Sequence, residues 1–121
     1  ADIAHFSHIV FTSANGVKIF FEYLQKSKTD IRTLRDTKFA VVGKKTADAL
    51  ESYGIYADMV PQIHSGLELA RLMCEKCSKN DNILLIRAEN GVSTIPNILS
   101  ENNVNFTDMH LYRTETDNRN F

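Results

Sequence analysis

The sequence predicts an α/β domain: one parallel sheet of five strands, covered by helices on both faces in three α/β/α layers. Three observations predict it. Short apolar, β-branched runs recur at 8–12, 39–42, 57–60, 83–86 and 106–112. Stretches with apolar residues three and four apart separate most of them, and several runs stop at Ser, Gly or Pro. Strands that are apolar throughout and joined by helices belong to parallel sheets buried on both sides.

Each element has its own signal. His8–Thr12 is a strand that ends at the turn-formers Ser13, Asn15 and Gly16. Val17, Phe20, Phe21 and Leu24 fall at i, i+3, i+4 and i+7, one face of a helix whose N-cap is Ser13 or Asn15. Residues 25–37 are polar, with a short helical turn near Leu34. Phe39–Val42 is a buried-type strand broken by Gly43, and Thr46, Ala47, Ala49, Leu50 and Tyr53 mark a helix that Gly54 can end in the left-handed conformation. Ala57–Val60 reads as a third strand stopped by Pro61, followed by a helix over 66–77. Ile83–Ile86 is the strongest strand, with the loop Arg87–Gly91 behind it. A helix at about 93–101, left-handed terminators at Asn102 or Asn103, and a strand from about Phe106 to Tyr112 complete the chain.

Bulk properties exclude several classes. The 121 residues fit one domain, since domains commonly run to about 100–150 residues. Fourteen Lys and Arg stand against fifteen Asp and Glu, so the net charge of −1 provides no field that would attract nucleic acid or an anionic membrane. No apolar run approaches the ~20 residues of a membrane helix, and a soluble, cytoplasmic protein is expected. Two cysteines are too few for a disulfide framework. The first strand begins so early that the chain reads as a domain cut from a longer protein.

Ligands of doubly wound sheets bind beyond the carboxyl ends of the strands, where strand order reverses. Here those ends are 13–17, 43–46, 61–66, 87–92 and 112–114. Gly43-Lys44-Lys45-Thr46 echoes a phosphate loop, but Lys38 stands where the first glycine belongs and a second lysine separates Lys44 from Thr46. What survives is a glycine turn, two lysines and a hydroxyl at a helix N-terminus, a place that suits an anion; equally, Thr46 caps and the lysines are solvated. Ser13 and Gly16 allow a ligand close to the backbone, or Ser13 and Asn15 simply cap. Arg87 at a strand tip binds a carboxylate or phosphate, or pairs with Glu89 or a neighbouring helix. Ser65 stands in the third of these loops, 61–66.

Cys74 and Cys77 spell CxxC at the wrong end of a helix for a redox dithiol, and with Leu67 and Ala70 they read as a buried stripe. No further zinc ligand stands at a sensible spacing, and the four histidines show no metal pattern. Neither metal nor cofactor is expected.

The ordered series IVFTSANGV (9–17), FAVVGKKTADAL (39–50), ADMVP (57–61), SGLELARLM (65–73), ILLIRAENG (83–91) and LYRT (111–114) resembles uroporphyrinogen-III synthase. FTSANGV and VGxKTAxAL carry most of that resemblance. It implies a flavodoxin-like sheet of order 5-4-1-2-3, in one of two similar α/β domains, this one inserted in the other. It implies closure of hydroxymethylbilane, a linear tetrapyrrole, with loss of water and inversion of ring D. Ser13, Gly43 and Thr46 match family positions in the strand-end loops, and Tyr112 matches a tyrosine proposed to donate a proton to the leaving hydroxyl. Asn15 stands where some members have arginine. On this resemblance Ser13, Asn15, Gly16, Gly43, Lys44, Thr46, Ser65 and Arg87 are expected to bind substrate. The partners are then the tetrapyrrole and a companion α/β domain. The alternative is a non-catalytic ligand-binding or regulatory module of the same fold.

Overall fold

The computed structural model describes residues 5–88 and 94–111. Chain order is β1 (His8–Phe11), α1 (Ala14–Lys26), a 3-10 turn (Ile31–Leu34), β2 (Lys38–Val41), α2 (Lys44–Glu51), α3 (Gly66–Lys76), β3 (Asn82–Ala88), α4 (Thr94–Glu101) and β4 (Asn105–Leu111). The four strands are all parallel, in the order β2-β1-β3-β4.

Strand alternation sorts the core into two layers. Ile9, Phe11, Phe39, Val41, Leu84 and Ile86 face one side, where Val17, Phe20, Phe21 and Leu24 of α1 and Leu50 of α2 cover them. Val10, Ala40, Ile83 and Leu85 face the other, against Leu69, Ala70 and Met73 of α3 and Ile95 and Leu99 of α4. Helices thus lie on both faces of the sheet, as the continuous apolar strands demand. Among the described residues no helix is long and apolar enough to cross a membrane.

Three of the helices end by one device. A left-handed residue turns the chain, and the next N–H reaches back five residues: Lys28 with Thr29 N to Leu24 O, Gly54 with Ile55 N to Leu50 O, Asn103 with Val104 N to Leu99 O. Asn102 does not adopt the left-handed conformation; its side chain donates to the Ile98 carbonyl instead.

The expected fifth strand is a correction. Residues 57–60 make a single parallel bridge, Ala40 to Met59, beside β2. Val41 N donates to Met59 O and Met59 N to Phe39 O, but the Phe39 N–H is taken at 2.8 Å by the Asp58 side chain. A carboxylate therefore occupies the place of a ladder carbonyl. Pro61, with no N–H, ends any continuation. The expected stripe on α3 also turns: Leu67 is exposed, Leu69, Ala70 and Met73 point inward, and Cys74 and Cys77 are half-buried on the flank.

Candidate functional site at the carboxyl ends of the strands

The chain leaves β1 toward β2 and returns, through α3, to β3 on the other side of β1. That reversal places the switch-point crevice above β1 and β3. On its β1 side Ser13 is extended, and its Oγ accepts the Gly16 N–H at 3.1 Å. Ser13 is therefore the N-cap of α1, and Asn15 lies exposed in the first turn. A Cβ on Gly16 would stand 3.4 Å from Ser13 Oγ and 3.6 Å from a methyl of Ile86. The glycine lets the first turn of α1 settle on the β1–β3 seam.

The loop after β2 differs from those that open α1 and α3. Gly43 is the N-cap of α2 and offers no side-chain cap. Thr46 is not the cap, contrary to one expectation: three residues inside the helix, it is buried on the face it shares with Leu50. The amides of the first turn of α2 therefore open at the sheet edge with the exposed Lys44 and Lys45 beside them. Lys44 Nζ rests 3.0 Å from Asp48 in a solvated i,i+4 pair, which holds it only weakly. Ser65, by contrast, caps α3, its Oγ accepting the Glu68 N–H at 3.1 Å.

Sequence reasoning missed His64. A Cβ on Gly43 would lie 3.1 Å from the His64 ring, so the missing side chain of one loop seats the imidazole of the next. An isolated histidine at no recognisable spacing carries no signal; only the meeting of two loops reveals it.

Arg87 is placed differently from its expectation. β3 runs on through it, so it sits in the ladder rather than at a loop tip. Its Nε and one terminal nitrogen each donate at 2.8 Å to the two carboxylate oxygens of Asp108 on β4. Hydrogen bonds to Asp108 raise the guanidinium pKa despite burial. Among the described residues the carboxylate that holds it comes from the adjacent strand. Tyr112 and Glu89–Gly91 lie outside the described residues.

A groove of about 530 Å³ runs between residues 60–63 and α3. It lies at the β2 edge, away from the switch point, and Glu68 and Glu75 balance Arg71 and Lys76 along it. It offers no excess of positive charge to a polycarboxylate. The anion-friendly surface is the row formed by Ser13, the start of α2 and His64.

Comparison with known proteins identifies the family. A sequence profile described as uroporphyrinogen-III synthase HemD matches residues 1–120. A porphyrin biosynthesis protein HemD of Ruminiclostridium josui is 38% identical over 119 residues, covering 98% of this chain and 24% of that protein. A uroporphyrinogen-III synthase of Chlorobaculum parvum is 30% identical over 101 residues, 83% of this chain and 41% of that one. The chain thus spans well under half the length of these relatives. A crystal structure of uroporphyrinogen III synthase from Thermus thermophilus superposes with a TM-score of 0.68 at 17% identity, over 88% of this chain and 41% of that one, a likeness of fold.

Proposed function

The chain belongs to the uroporphyrinogen-III synthase family, and from that membership we propose that it is the inserted α/β half of a synthase that closes hydroxymethylbilane to uroporphyrinogen III. The observation that carries the reading is the uncapped start of α2, with Lys44 and Lys45, on the edge where such sheets bind ligands. A linear tetrapyrrole brings many carboxylates to such an edge.

In this reading the protein's work is positional. The α2 amides, Lys44, His64 and the Ser13 hydroxyl hold carboxylates, which fixes the chain of pyrroles in a near-closed shape. Asn15 and Gly16 line the same lip, Ser65 caps α3, and Thr46 packs into the core beneath the start of α2. Arg87 holds β3 and β4 together beneath the lip. A companion α/β domain supplies the opposite wall. Tyr112 assists departure of the hydroxyl as water, and the substrate's own pyrrole carbon then forms the new bond with inversion of ring D.

The test uses the full-length protein and fresh hydroxymethylbilane. Product of type III above the spontaneous type I is expected. Type I product alone would overturn the reading and leave the non-catalytic binding module. For Tyr112→Phe a rate loss of at least threefold is expected, roughly 0.7 kcal/mol of barrier; a smaller loss removes Tyr112 from the mechanism.

A further inference from the structure

We propose that His8, Cys77 and Asp81 form a binding site for a divalent transition-metal ion of the Zn2+ class, at the end of the sheet opposite the strand-end loops. One imidazole nitrogen, one thiol sulfur and one carboxylate oxygen lie within 4.8 Å of one another there. The inference does not rest on the synthase reading, and it concerns residues that reading does not use.

Three separate pieces of chain bring the donors together. His8 opens β1 and pairs in register with Ile83, so it shares the face that α3 covers. It is only 4% exposed, a polar ring held inside the fold. Cys77 ends α3: its N–H donates to Met73 O at 2.8 Å, and its extended backbone turns the chain away. Asp81 closes the following turn, where its carboxylate accepts the Ser78 N–H at 2.8 Å and its own N–H donates to Ser78 O. Residues far apart in sequence thus converge, which is why no spacing pattern announces them.

The surroundings orient the donors as metal sites require. Ser7 Oγ lies 2.8 Å from His8 Nδ1, a contact that fixes the ring. The Ser78 amide likewise steers Asp81. Burial lowers the His8 pKa. Burial first, then Asp81 and Cys74, push the Cys77 thiol up to about 11. With no cation present the site therefore holds a thiol. On binding, the S–H bond breaks, the S–metal bond forms and the proton leaves to solvent.

The donor set selects the ion. Thiolate and imidazole favour zinc or cobalt over magnesium or calcium, which take oxygen ligands. Zinc bonds of about 2.0–2.3 Å in a tetrahedron set donors roughly 3.3–3.8 Å apart. The three atoms must therefore close in by about 1 Å, within the reach of side-chain rotation. Water fills the fourth position. Bound there, the ion ties the end of α3 to β1 and to the turn before β3.

The experiment is a Co2+ titration of the full-length protein after chelator treatment. Thiolate-to-cobalt absorption saturating at one equivalent is expected, abolished by Zn2+ and accompanied by a higher thermal midpoint with Zn2+. His8→Gln, Cys77→Ser and Asp81→Asn should each weaken binding at least tenfold, whereas Cys74→Ser should leave the absorption in place. Absence of the band in folded protein, or a band that survives Cys77→Ser, would overturn the site. Alkylation of the wild-type protein provides a check that needs no variant. Zn2+ should slow iodoacetamide labelling of Cys77 at least tenfold, and an unchanged labelling rate would sink the proposal.

Discussion

Asp108→Ala is expected to lower the unfolding free energy by about 2–4 kcal/mol, because it removes the carboxylate that matches a guanidinium held inside the sheet. The Arg87 side chain is 8% exposed and that of Asp108 26%, so water screens the pair poorly. Both oxygens are engaged at 2.8 Å, which is the strong, bidentate form of the interaction. The pair is diagonal: Arg87 stands opposite His110 and Asp108 opposite Leu85, both on the face covered by α3 and α4. Arg87→Ala should cost a similar amount, because it removes the guanidinium that both carboxylate oxygens hold and leaves a void. Arg87→Leu combined with Asp108→Leu should recover most of the loss, since two apolar groups of similar bulk need no counter-charge. Urea denaturation of the full-length protein and its three variants checks this. Single variants within about 0.5 kcal/mol of the parent would show that the pair is no strut, and would return Arg87 to the residues available for substrate.

That outcome bears on what a sequence can and cannot disclose. Local pattern located the four strands of the described fold, the buried face of α1 and its cap at Ser13 or Asn15. Those features depend on neighbours three or four residues away. Arg87 depends on Asp108, 21 residues on and in another strand. Read locally, the strand ends at Ile86 and Arg87 falls in a loop; the ladder with β4 carries the strand two residues further. Residues 57–60 failed for the converse reason. Their composition suits a strand, but a strand is a set of partners, and Asp58 takes one of those places with its side chain.

The candidate site divides the same way. Ser13 caps as one of the two residues its position before a helical pattern allows, and Ser65, expected only to bind substrate, caps α3. A hydroxyl beside a glycine turn reads either as an anion contact or as a cap, yet α2 starts at Lys44 and turns Thr46 into the core. His64 and the His8, Cys77 and Asp81 cluster come from tertiary convergence alone. Small shifts of element boundary thus change the role of a residue completely, although they barely alter the fold.

The aromatic column under the first lip should be the most sensitive point in the domain. Phe11→Ala is expected to cost about 3–5 kcal/mol, the usual range for a fully buried phenylalanine. Its ring stacks on Phe39 of β2 at 6.3 Å and 5°, and meets Phe20 of α1 edge-on at 5.4 Å and 67°. Phe20 continues to Phe21, and Phe21 stacks on Tyr53 at 4.3 Å. The rings therefore tie β2, β1, α1 and the end of α2 into one body. Phe11 is also the residue before Thr12 and Ser13, and a Cβ on Gly16 would stand 4.0 Å from its ring. The first turn of α1 rests on it. Phe11→Leu keeps most of the volume and should lose only about 1–2 kcal/mol. If the loop's position matters for the substrate, both variants should raise the apparent KM, in proportion to the packing each loses. Denaturation and KM measured on the same full-length variants connect the two effects. A loss below about 1 kcal/mol for Phe11→Ala would mean that the column does not seat α1, and the lip at Ser13 would have to be held by its cap alone.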